Sequence, residues 1–326
     1  METTQISPRK DTYKITNWKQ YSKSLEKRGD FSIWIEGSVL SSWLDLTPKK
    51  VVGECLYPDS VIETCLILGK LYRQKLRQSV GFVRSLMRVM GHTSILIPDY
   101  STLSRRQSSL KVVFSDAFSR LAKGEKLDIC IDSTGLKVYG EGEWKVKKHG
   151  TSKHRTWQKL HIGIDAHTQE IISVKLTTNA GDDATTAKGM LKDKIHQIKS
   201  FRGDGAYDDT TFREVLGNDV KQIIPPPKNA VTCKPTKKKP VPEHLFQRNT
   251  AVERIAEVEL KEWKKEEGYH LRSLKEVAMF RFKTIFGGGL DARKFENQEV
   301  EASLKCKVLN RFAQMGMPKS VRCQKI

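Results

Sequence analysis

Residues 127–135 read LDICIDSTG, and this stretch decides what the rest of the chain has to build. Its apolar residues alternate, with Leu127, Ile129 and Ile131 on one side, which is the periodicity of a β-strand. Ser-Thr-Gly follows and signals a turn, so we expect Asp132 where a buried strand gives way to an open end. A carboxylate held there is still reached by water, which suits a metal ligand. A capping or turn aspartate would fit the same pattern.

The composition bounds the class of protein. The chain has 326 residues, of which 38% are hydrophobic and 29% are charged, as is typical of a soluble globular protein. No apolar run approaches the ~20 residues of a membrane span, and the first residues lack the apolar centre of a signal peptide. The six cysteines include no CxxC pair and so give no sign of a zinc site. We therefore expect a cytoplasmic protein without a membrane partner.

The charge balance indicates a polyanionic partner. Lys and Arg number 58 and Asp and Glu number 38, which leaves a net charge of +20. Such a surplus on a folded protein favours nucleic acid, the commonest polyanion in the cell. Plain solubility, or an anionic membrane surface, would be compatible with the same surplus.

The order of patterns along the chain predicts an α/β protein. Helical spacing prevails over residues 58–123, and three successive strands with short connections then predict an antiparallel meander. Helices and strands alternate after the meander. We expect an N-terminal appendage over residues 1–57, a helical region over 58–123, an α/β domain over 124–290 with a small basic insertion at about 225–248, and a C-terminal tail over 291–326.

The helical region contains three short predicted helices. The third begins near Ser101 and carries Arg105 and Arg106. Three such helices with a basic, hydroxyl-rich third one fit a helix-turn-helix DNA-binding unit. An ordinary helical bundle with a solvated basic face fits as well, so both interpretations stay open.

The connection between the first two strands is strongly basic. From residue 144 to 159 it reads WKVKKHGTSKHRTWQK and contains no acid. A loop of this charge is suited to binding phosphates, and its aromatic residues are able to stack on bases. Solvated lysines on an exposed loop are the alternative. The candidate DNA-binding residues here are Lys145, Lys147, Lys148, Lys153, Arg155 and Trp157.

Two further acidic segments follow the meander. Asp182 and Asp183 open a predicted helix, and we interpret both as helix caps. Asp204 lies between two glycines directly after the next predicted strand, where an acid again meets a flexible turn. Asp204 is therefore a second candidate carboxylate beside Asp132.

A third acid comes from the window 269–283, YHLRSLKEVAMFRFK. Tyr269, Arg272, Glu276 and Lys283 are spaced by three, four and seven residues. At about 100° per residue these four fall on one narrow stripe of a helix. The helix thus presents an acid flanked by Arg, Lys and a phenol, which favours a functional stripe over a solvated face.

Together, DSTG, GDGAYDD and the Tyr-x2-Arg-x3-Glu-x6-Lys pattern resemble a bacterial insertion-sequence transposase of the DDE superfamily, in the branch named for those four residues. The resemblance covers about residues 58–290. It implies a ribonuclease-H-like core, that is, a mixed five-stranded sheet flanked by helices, preceded by a helical DNA-binding region. It also implies that Asp132, Asp204 and Glu276 form a metal-binding triad and that Tyr269, Arg272 and Lys283 contact transposon-end DNA.

The resemblance implies a metal-dependent DNA nuclease and strand transferase. Two Mg2+ ions, with Mn2+ as a substitute, would activate the attacking oxygen and support the leaving one. The implied partners are double-stranded DNA, as terminal inverted repeats and target, and a second copy of the chain in a synaptic homodimer near the bacterial nucleoid. The alternatives are a ribonuclease-H-like nuclease without strand transfer, and a domesticated DNA-binding protein with inactive chemistry. The intact set of three acids argues against the second.

Overall fold

A mixed β-sheet with helices on both faces forms the centre of the molecule. The computed structural model describes residues 12–46, 56–114, 124–138, 157–236 and 240–323. The strands are β1 (Thr12–Ile15), β2 (Leu127–Val138), β3 (Trp157–Asp165), β4 (Ile171–Thr178), β5 (Ile198–Arg202), β6 (Lys221–Ile223), β7 (Gly289–Leu290) and β8 (Ser320–Cys323). The central sheet runs in the order β4-β3-β2-β5-β6, and β7 pairs with β2 as a sixth strand.

The α-helices precede, interrupt and follow the sheet. They are α1 (Trp18–Gly29), α2 (Gly37–Leu44), α3 (Asp59–Leu71), α4 (Leu76–Val89), α5 (Tyr100–Gln107), α6 (Asp183–Leu191), α7 (Thr210–Leu216), α8 (Phe246–Glu266), α9 (Ser273–Phe286) and α10 (Phe295–Met315). Strands β1 and β8 pair antiparallel and so bring the two ends of the described chain together. None of the helices in the described ranges combines the length and apolar composition that a membrane span needs.

The meander predicted from the sequence is confirmed, but the sheet has one strand more than the five expected. Strands β2, β3 and β4 pair antiparallel in succession, whereas β5 and β6 run parallel to β2. The additional strand, β7, pairs in parallel with Lys137 and Val138 at the far end of β2. Two residues are too short to show any periodicity, so the sequence pattern gave no sign of this strand.

Strand β2 does not turn at Ser133, and the expectation that it would was wrong. It continues to Val138 because β3 pairs with it from Ile129 to Lys137. Gly135 lies inside the strand, where an added Cβ would come within 3.2 Å of the Trp157 ring. The glycine therefore makes room for an aromatic ring and does not form a turn.

The alternation of LDICID puts its residues on two covered faces of the sheet. Ile129 and Ile131 belong to the buried cluster that contains Phe212 of α7. Cys130 belongs to the other buried cluster, which contains Phe282 of α9. Asp132 has the same parity as Cys130 and therefore lies on the α9 side of the sheet.

The helical region shares its buried core with the sheet. Residues of α3, α4 and α5 lie in the same cluster as Cys130 and Phe282, together with residues of α10. The buried Gln107 amide donates a hydrogen bond to the Asn297 carbonyl at 2.7 Å, which fixes α5 to α10. Helix α10 also packs along β4, where the Asn310 amide bonds to both backbone groups of Ile171. The boundaries proposed at residues 57, 123 and 290 stay predictions.

A buried carboxylate joins α3, β7 and α10. The Glu301 side chain is 0% exposed and lies 3.0 Å from Lys70 Nζ and 2.8 Å from Lys305 Nζ. Its oxygens also accept hydrogen bonds from the backbone N–H groups of Asp291 and Ala292 at 3.0 and 2.9 Å. Burial raises the pKa of this carboxyl, but the two lysines and the N–H groups lower it below its ordinary value. Glu301 is therefore a charged, fully paired structural group.

Candidate functional site

Asp132 lies on β2 just beyond the end of β5. The two strands pair as far as Cys130 and Arg202, where β5 ends. Asp132 comes two residues after Cys130, and Asp204 comes two residues after Arg202. Because neighbouring strands lie about 4.8 Å apart, continuing this register puts the two aspartates side by side. Among the described strands, none pairs with β2 on this edge until β7 begins at Gly289 opposite Lys137.

The backbone after β5 holds Asp204 in a defined orientation. Its carboxylate caps the short 3-10 helix Gly205–Tyr207 by accepting a hydrogen bond from the Ala206 N–H at 3.0 Å. A Cβ at Gly203 would lie 2.8 Å from the rings of both Phe201 and Tyr207. The glycine before Asp204 is thus required by close packing against two aromatic rings.

Glu276 lies on α9 and is connected to Asp204 by ion pairs with one arginine, Arg272. The Arg272 guanidinium lies 3.3 Å from an Asp204 carboxylate oxygen and 3.5 Å from a Glu276 carboxylate oxygen. The side chains of Asp204 and Glu276 are 37% and 62% exposed, so both remain open to solvent. One cation therefore links the acid after β5 to the acid on α9, and its contact with Asp204 spans 68 residues of sequence.

All three acids act on the pKa of the Tyr269 phenol. Burial raises the pKa of its phenol above the ordinary value, and Arg272 opposes that rise. The carboxylates of Asp204, Asp132 and Glu276 each add to it. Charge acts on a neighbouring ionisable group only over short distances in a solvated protein. Each of the three acids therefore lies near enough to the phenol to act on its ionisation.

The stripe from Tyr269 to Lys283 is not one continuous α-helix. Tyr269–Arg272 forms a separate 3-10 helix, and α9 begins only at Ser273. The break follows Gly268, whose φ of 63° lies in the left-handed region and ends α8. Even so, Arg272 reaches Glu276 as the four-residue spacing predicted. Lys283 is exposed two turns further along α9.

Carboxylate oxygens are the ligands that Mg2+ prefers, so the donor chemistry of the three acids suits a divalent ion. Within the described ranges, however, no three His, Cys, Asp or Glu side chains are placed to hold one. The guanidinium of Arg272 lies between Asp204 and Glu276 instead. The site thus fits a metal by the chemistry of its donors and carries an internal counter-cation in this arrangement.

The two aspartates that open α6 have different roles. Asp182 caps the helix by accepting a hydrogen bond from the Thr185 N–H at 2.7 Å, as predicted. Asp183 was interpreted as a second cap, but it binds Lys159 Nζ at 2.8 Å and lies 3.3 Å from Nδ1 of the buried His161. This interpretation was wrong because a residue in the first turn of a helix is free to point at a neighbouring strand, here β3.

Sequence reasoning also missed Tyr207 and Lys264. Tyr207 is 1% exposed, and within the described residues its hydroxyl has no hydrogen-bond partner. Burial raises the pKa of its phenol, and the carboxylates of Asp183, Asp132 and Asp204 raise it further. Lys264 lies over the Tyr269 ring, 5.0 Å from its centroid. The acid-rich GDGAYDD segment was the only sign of Tyr207, and nothing in the sequence pattern pointed to Lys264.

The remaining predicted DNA-binding residues are spread over the molecule. Arg105 is exposed on α5, whereas Arg106 donates to the Tyr57 carbonyl at 2.9 Å and pairs with Asp59 at 2.5 Å. Arg106 therefore ties α5 to the start of α3. Trp157 begins β3, half-buried, with the Lys137 ammonium 5.9 Å from its ring centroid. The other candidates, Lys145, Lys147, Lys148, Lys153 and Arg155, lie outside the described residues.

The helical region resembles a bundle more than a helix-turn-helix unit. Residues 90–99 separate α4 from α5, whereas the turn of a helix-turn-helix has three or four residues. All three helices also bury side chains in the cluster that contains residues of α10 and the sheet. The packing favours the second of the two interpretations.

Two family models match this chain, and both are described as a transposase DDE domain. One matches residues 26–141 and the other matches residues 123–311. Among solved structures, a piggyBac transposase synaptic complex with hairpin DNA is similar over 93% of this chain and 84% of that chain, at 10% identity and a TM-score of 0.27. A TM-score this low does not establish a common fold. The second family model spans more than half of the 326 residues. The chain therefore belongs to the transposases with a DDE domain, enzymes that cut DNA and transfer its strands.

Proposed function

We propose that Asp132, Asp204 and Glu276 are the acidic triad of this transposase and that they bind divalent metal ions, Mg2+ in the cell and Mn2+ as a substitute. The observation that carries the proposal is that the Arg272 guanidinium forms an ion pair with Asp204 and another with Glu276, and so connects the two acids. The continued register of β2 and β5 supports Asp132 as the third member. DDE transposases in general depend on divalent metals.

The same features support a ribonuclease-H-like core. The first acid is on the central strand, the second follows the neighbouring parallel strand, and the third is on a helix that packs over the same face. Carboxylates from two strands and one helix are what a phosphodiester-transfer site needs to surround its ions. The five strands from β4 to β6 make up the sheet of that core, and β7 extends it.

Two divalent ions held by these carboxylates would activate the attacking oxygen and stabilise the leaving oxygen of the phosphodiester. The chain's own residues do the positioning. Strand pairing fixes the backbone of Asp132, and the hydrogen bond from the Ala206 N–H orients Asp204. A tyrosine phenol, with an ordinary pKa of about 10, is neutral at physiological pH, and burial raises the pKa of Tyr269 further, so this phenol is able to donate a hydrogen bond to a phosphate oxygen.

Arg272 and Lys283 supply the positive charge for DNA. In the free protein, Arg272 pairs with both Asp204 and Glu276 and offsets part of their charge. Its planar guanidinium is also suited to bidentate contact with a phosphate. Lys283 is exposed on the outer face of α9 and suits a second phosphate along the strand. Arg105 and the basic residues from 144 to 159 are further candidate phosphate contacts on the grounds of sequence alone, which agrees with the net charge of +20.

We further infer that the DNA is the terminal inverted repeat of a bacterial insertion sequence, which the enzyme joins to target DNA at the nucleoid. The Tyr-x2-Arg-x3-Glu-x6-Lys pattern supports this branch of the family. Bringing two transposon ends together requires two active sites, which supports a homodimer in the synaptic complex. The family match does not favour a nuclease without strand transfer or an inactive DNA-binding protein.

The decisive experiment is Glu276→Gln, assayed on a 40-base-pair duplex carrying the terminal repeat that flanks the gene. The substitution keeps the shape of the side chain and removes its charge. We expect unchanged affinity for the duplex in Ca2+ and cleavage in Mg2+ reduced at least about a thousandfold, as when a residue of a cooperating catalytic set is removed. Glu214→Gln, at an exposed position on α7, should cleave normally. Cleavage by Glu276→Gln near the wild-type rate would refute the triad.

A further inference from the structure

Helix α8 is bent at Glu259. The backbone of this residue has a φ of 67° and a ψ of 154°, inside a segment that is helical on both sides of it. A residue other than glycine seldom adopts such a positive φ, because its Cβ crowds a neighbouring carbonyl oxygen. The Glu259 side chain is exposed, so its own burial does not offset the strain. Contacts between the two halves of α8 therefore hold the bend.

An ion pair joins the two halves across the bend. The Arg254 guanidinium donates two hydrogen bonds to the Glu266 carboxylate, from Nε at 3.1 Å and from Nη2 at 2.7 Å. These two residues are 12 apart in sequence. In a continuous α-helix such residues are about 18 Å apart along the axis and point in directions about 120° apart. The two side chains do not reach across that separation, so the ion pair forms only because α8 is bent.

The first half of α8 is fixed to the sheet and to the loop that follows Asp204. Arg248 Nε lies 3.1 Å from the Asp208 carboxylate, whose side chain is 4% exposed. The Gln247 side chain accepts a hydrogen bond from the Gln222 N–H of β6 at 2.8 Å. The part of α8 before the bend therefore has a set position relative to the acid after β5.

The second half of α8 contacts the segment that carries the phenol and the guanidinium of the site. Trp263 is 3% exposed and lies in a buried cluster with Ile223 of β6, and Tyr269 packs against that cluster. Lys264 lies 5.0 Å from the centroid of the Tyr269 ring, and the Arg272 guanidinium lies 5.7 Å from the same centroid. The direction in which α8 leaves the bend thus sets where Tyr269 and Arg272 lie.

We infer that the Arg254–Glu266 ion pair positions part of the proposed catalytic site. By holding the bend at Glu259, the pair sets where Tyr269 and Arg272 lie relative to the acids. The inference rests on the proposed function, because that proposal gives those two residues their roles at the acids. The paired side chains are 44% and 37% exposed, so the pair contributes little to global stability. Its effect is on local geometry and on the rate of cleavage.

The test compares Arg254→Ala with the double variant Arg254→Glu/Glu266→Arg, which restores an ion pair of reversed polarity. Hydrogen–deuterium exchange of residues 260–272 is measured in the free protein, and cleavage of the terminal duplex is measured in Mg2+ at saturating DNA. We expect Arg254→Ala to exchange about tenfold faster in this segment, because the bend opens locally without the pair. Cleavage should slow about tenfold, as when reacting groups are misplaced, with an unchanged melting temperature. The double variant should recover most of both losses.

Three further variants make the result specific. Glu262→Ala removes an exposed ion pair with Lys265 in the same half of α8 and should behave as the wild type. Glu259→Gly and Glu259→Ala test the bend itself. Because glycine adopts a positive φ without strain, Glu259→Gly should melt at a higher temperature than Glu259→Ala. That order is the reverse of the one found in the interior of a continuous helix.

A double variant that exchanges and cleaves as Arg254→Ala does would overturn the inference. So would an Arg254→Ala protein that binds DNA more weakly in Ca2+ but cleaves normally at saturating DNA, since Arg254 would then be a phosphate contact. A lower melting temperature for Glu259→Gly than for Glu259→Ala would also contradict it. The exchange experiment needs no catalysis, so refutation of the triad by an active Glu276→Gln protein would be a separate result.

Discussion

Two clusters of acids and bases on neighbouring helices of this transposase are built in opposite ways. In the Glu301 cluster, a fully buried carboxylate binds Lys70, Lys305 and two backbone N–H groups at 2.8 to 3.1 Å. In the Arg272 cluster, one guanidinium lies 3.3 and 3.5 Å from two carboxylates that are 37% and 62% exposed. The first has every charge satisfied and excludes water. The second is loose and open to solvent.

The difference distinguishes a charge that stabilises the fold from a charge that is available to bind a ligand. A buried ion pair is strongly destabilising when one partner is removed, because an uncompensated charge remains. An exposed pair contributes little to stability and is screened by salt. We therefore expect substitutions in the Glu301 cluster to change folding, and substitutions in the Arg272 cluster to change binding and catalysis.

The largest effect is expected from Asp204→Asn. Asparagine caps a helix about as well as aspartate, so the 3-10 turn after β5 should survive while the charge is lost. DNA cleavage in Mg2+ should fall at least about a thousandfold, with an unchanged melting temperature. Asp182→Asn, the same substitution at the cap of α6, is the matched control and should affect neither quantity. A lower melting temperature for Asp204→Asn would contradict the proposed difference between the two clusters.

The next effect is on folding. Glu301→Gln removes the carboxylate charge that the nearly buried Lys305 and Lys70 share, and it leaves Lys70 with the Asp291 carboxylate at 3.3 Å; the two lysine side chains are only 4% and 12% exposed. We expect the free energy of unfolding to fall by about 3–5 kcal/mol, measured by urea denaturation. Glu299 lies on α10, as Glu301 does, and forms an exposed pair with Lys175 of β4. Glu299→Gln breaks that pair and should lower the free energy of unfolding by less than about 1 kcal/mol. Equal costs for the two variants would contradict the comparison.

Arg272→Ala should shift two affinities in opposite directions. Removing the guanidinium leaves Asp204 and Glu276 without their counter-cation, so Mn2+ should bind up to about fivefold more tightly in the absence of DNA. DNA should bind more weakly, with the slope of log K against log salt reduced by about one. Calorimetry measures the affinity for Mn2+, and fluorescence anisotropy measures the affinity for the terminal duplex. Weaker Mn2+ binding would mean that Arg272 supports the metal site instead of competing with it.

Acid should weaken the Glu301 cluster by protonating the Glu301 carboxylate. The pKa of Glu301 is lower in the folded protein than in the unfolded chain, so its charge contributes stability above the unfolded value of about 4.3. That contribution is lost as the pH falls through the lower folded pKa. The stability difference between wild type and Glu301→Gln should therefore shrink when melting temperatures are compared from pH 7 to pH 3. A difference that stays constant across this range would exclude the charge of Glu301 as its cause.

The smallest effect is expected at Lys283. Lys283→Ala removes one proposed phosphate contact, so it should lower the salt slope of DNA binding by about one and weaken binding similarly for any sequence. Lys175→Ala, at another exposed lysine, should leave the slope unchanged. An unchanged slope in Lys283→Ala would remove this residue from the DNA-binding face of α9.

Much of the α/β order was readable from local periodicity. The alternation in LDICID correctly predicted a strand, although not that both of its faces are covered. The meander and helix α7 lie where the pattern indicated. The spacing of Arg272 and Glu276 predicted that their side chains meet, and they do. The extent of β2 was misjudged, because the partner strand β3 overrides the turn preference of Ser133 and Gly135.

The sequence by itself determined which residues carry charge, which faces of each element are apolar, and which three acids belong to a recognisable pattern, because periods of 2 and 3.6 residues are local properties. Only the tertiary structure decided that Asp204 and Glu276 share one guanidinium, that Gly135 faces the ring of Trp157, and that Phe280 points away from the core. These contacts depend on how β5 and α9 pack against β2. That packing is set by the whole buried core, which no window of sequence contains.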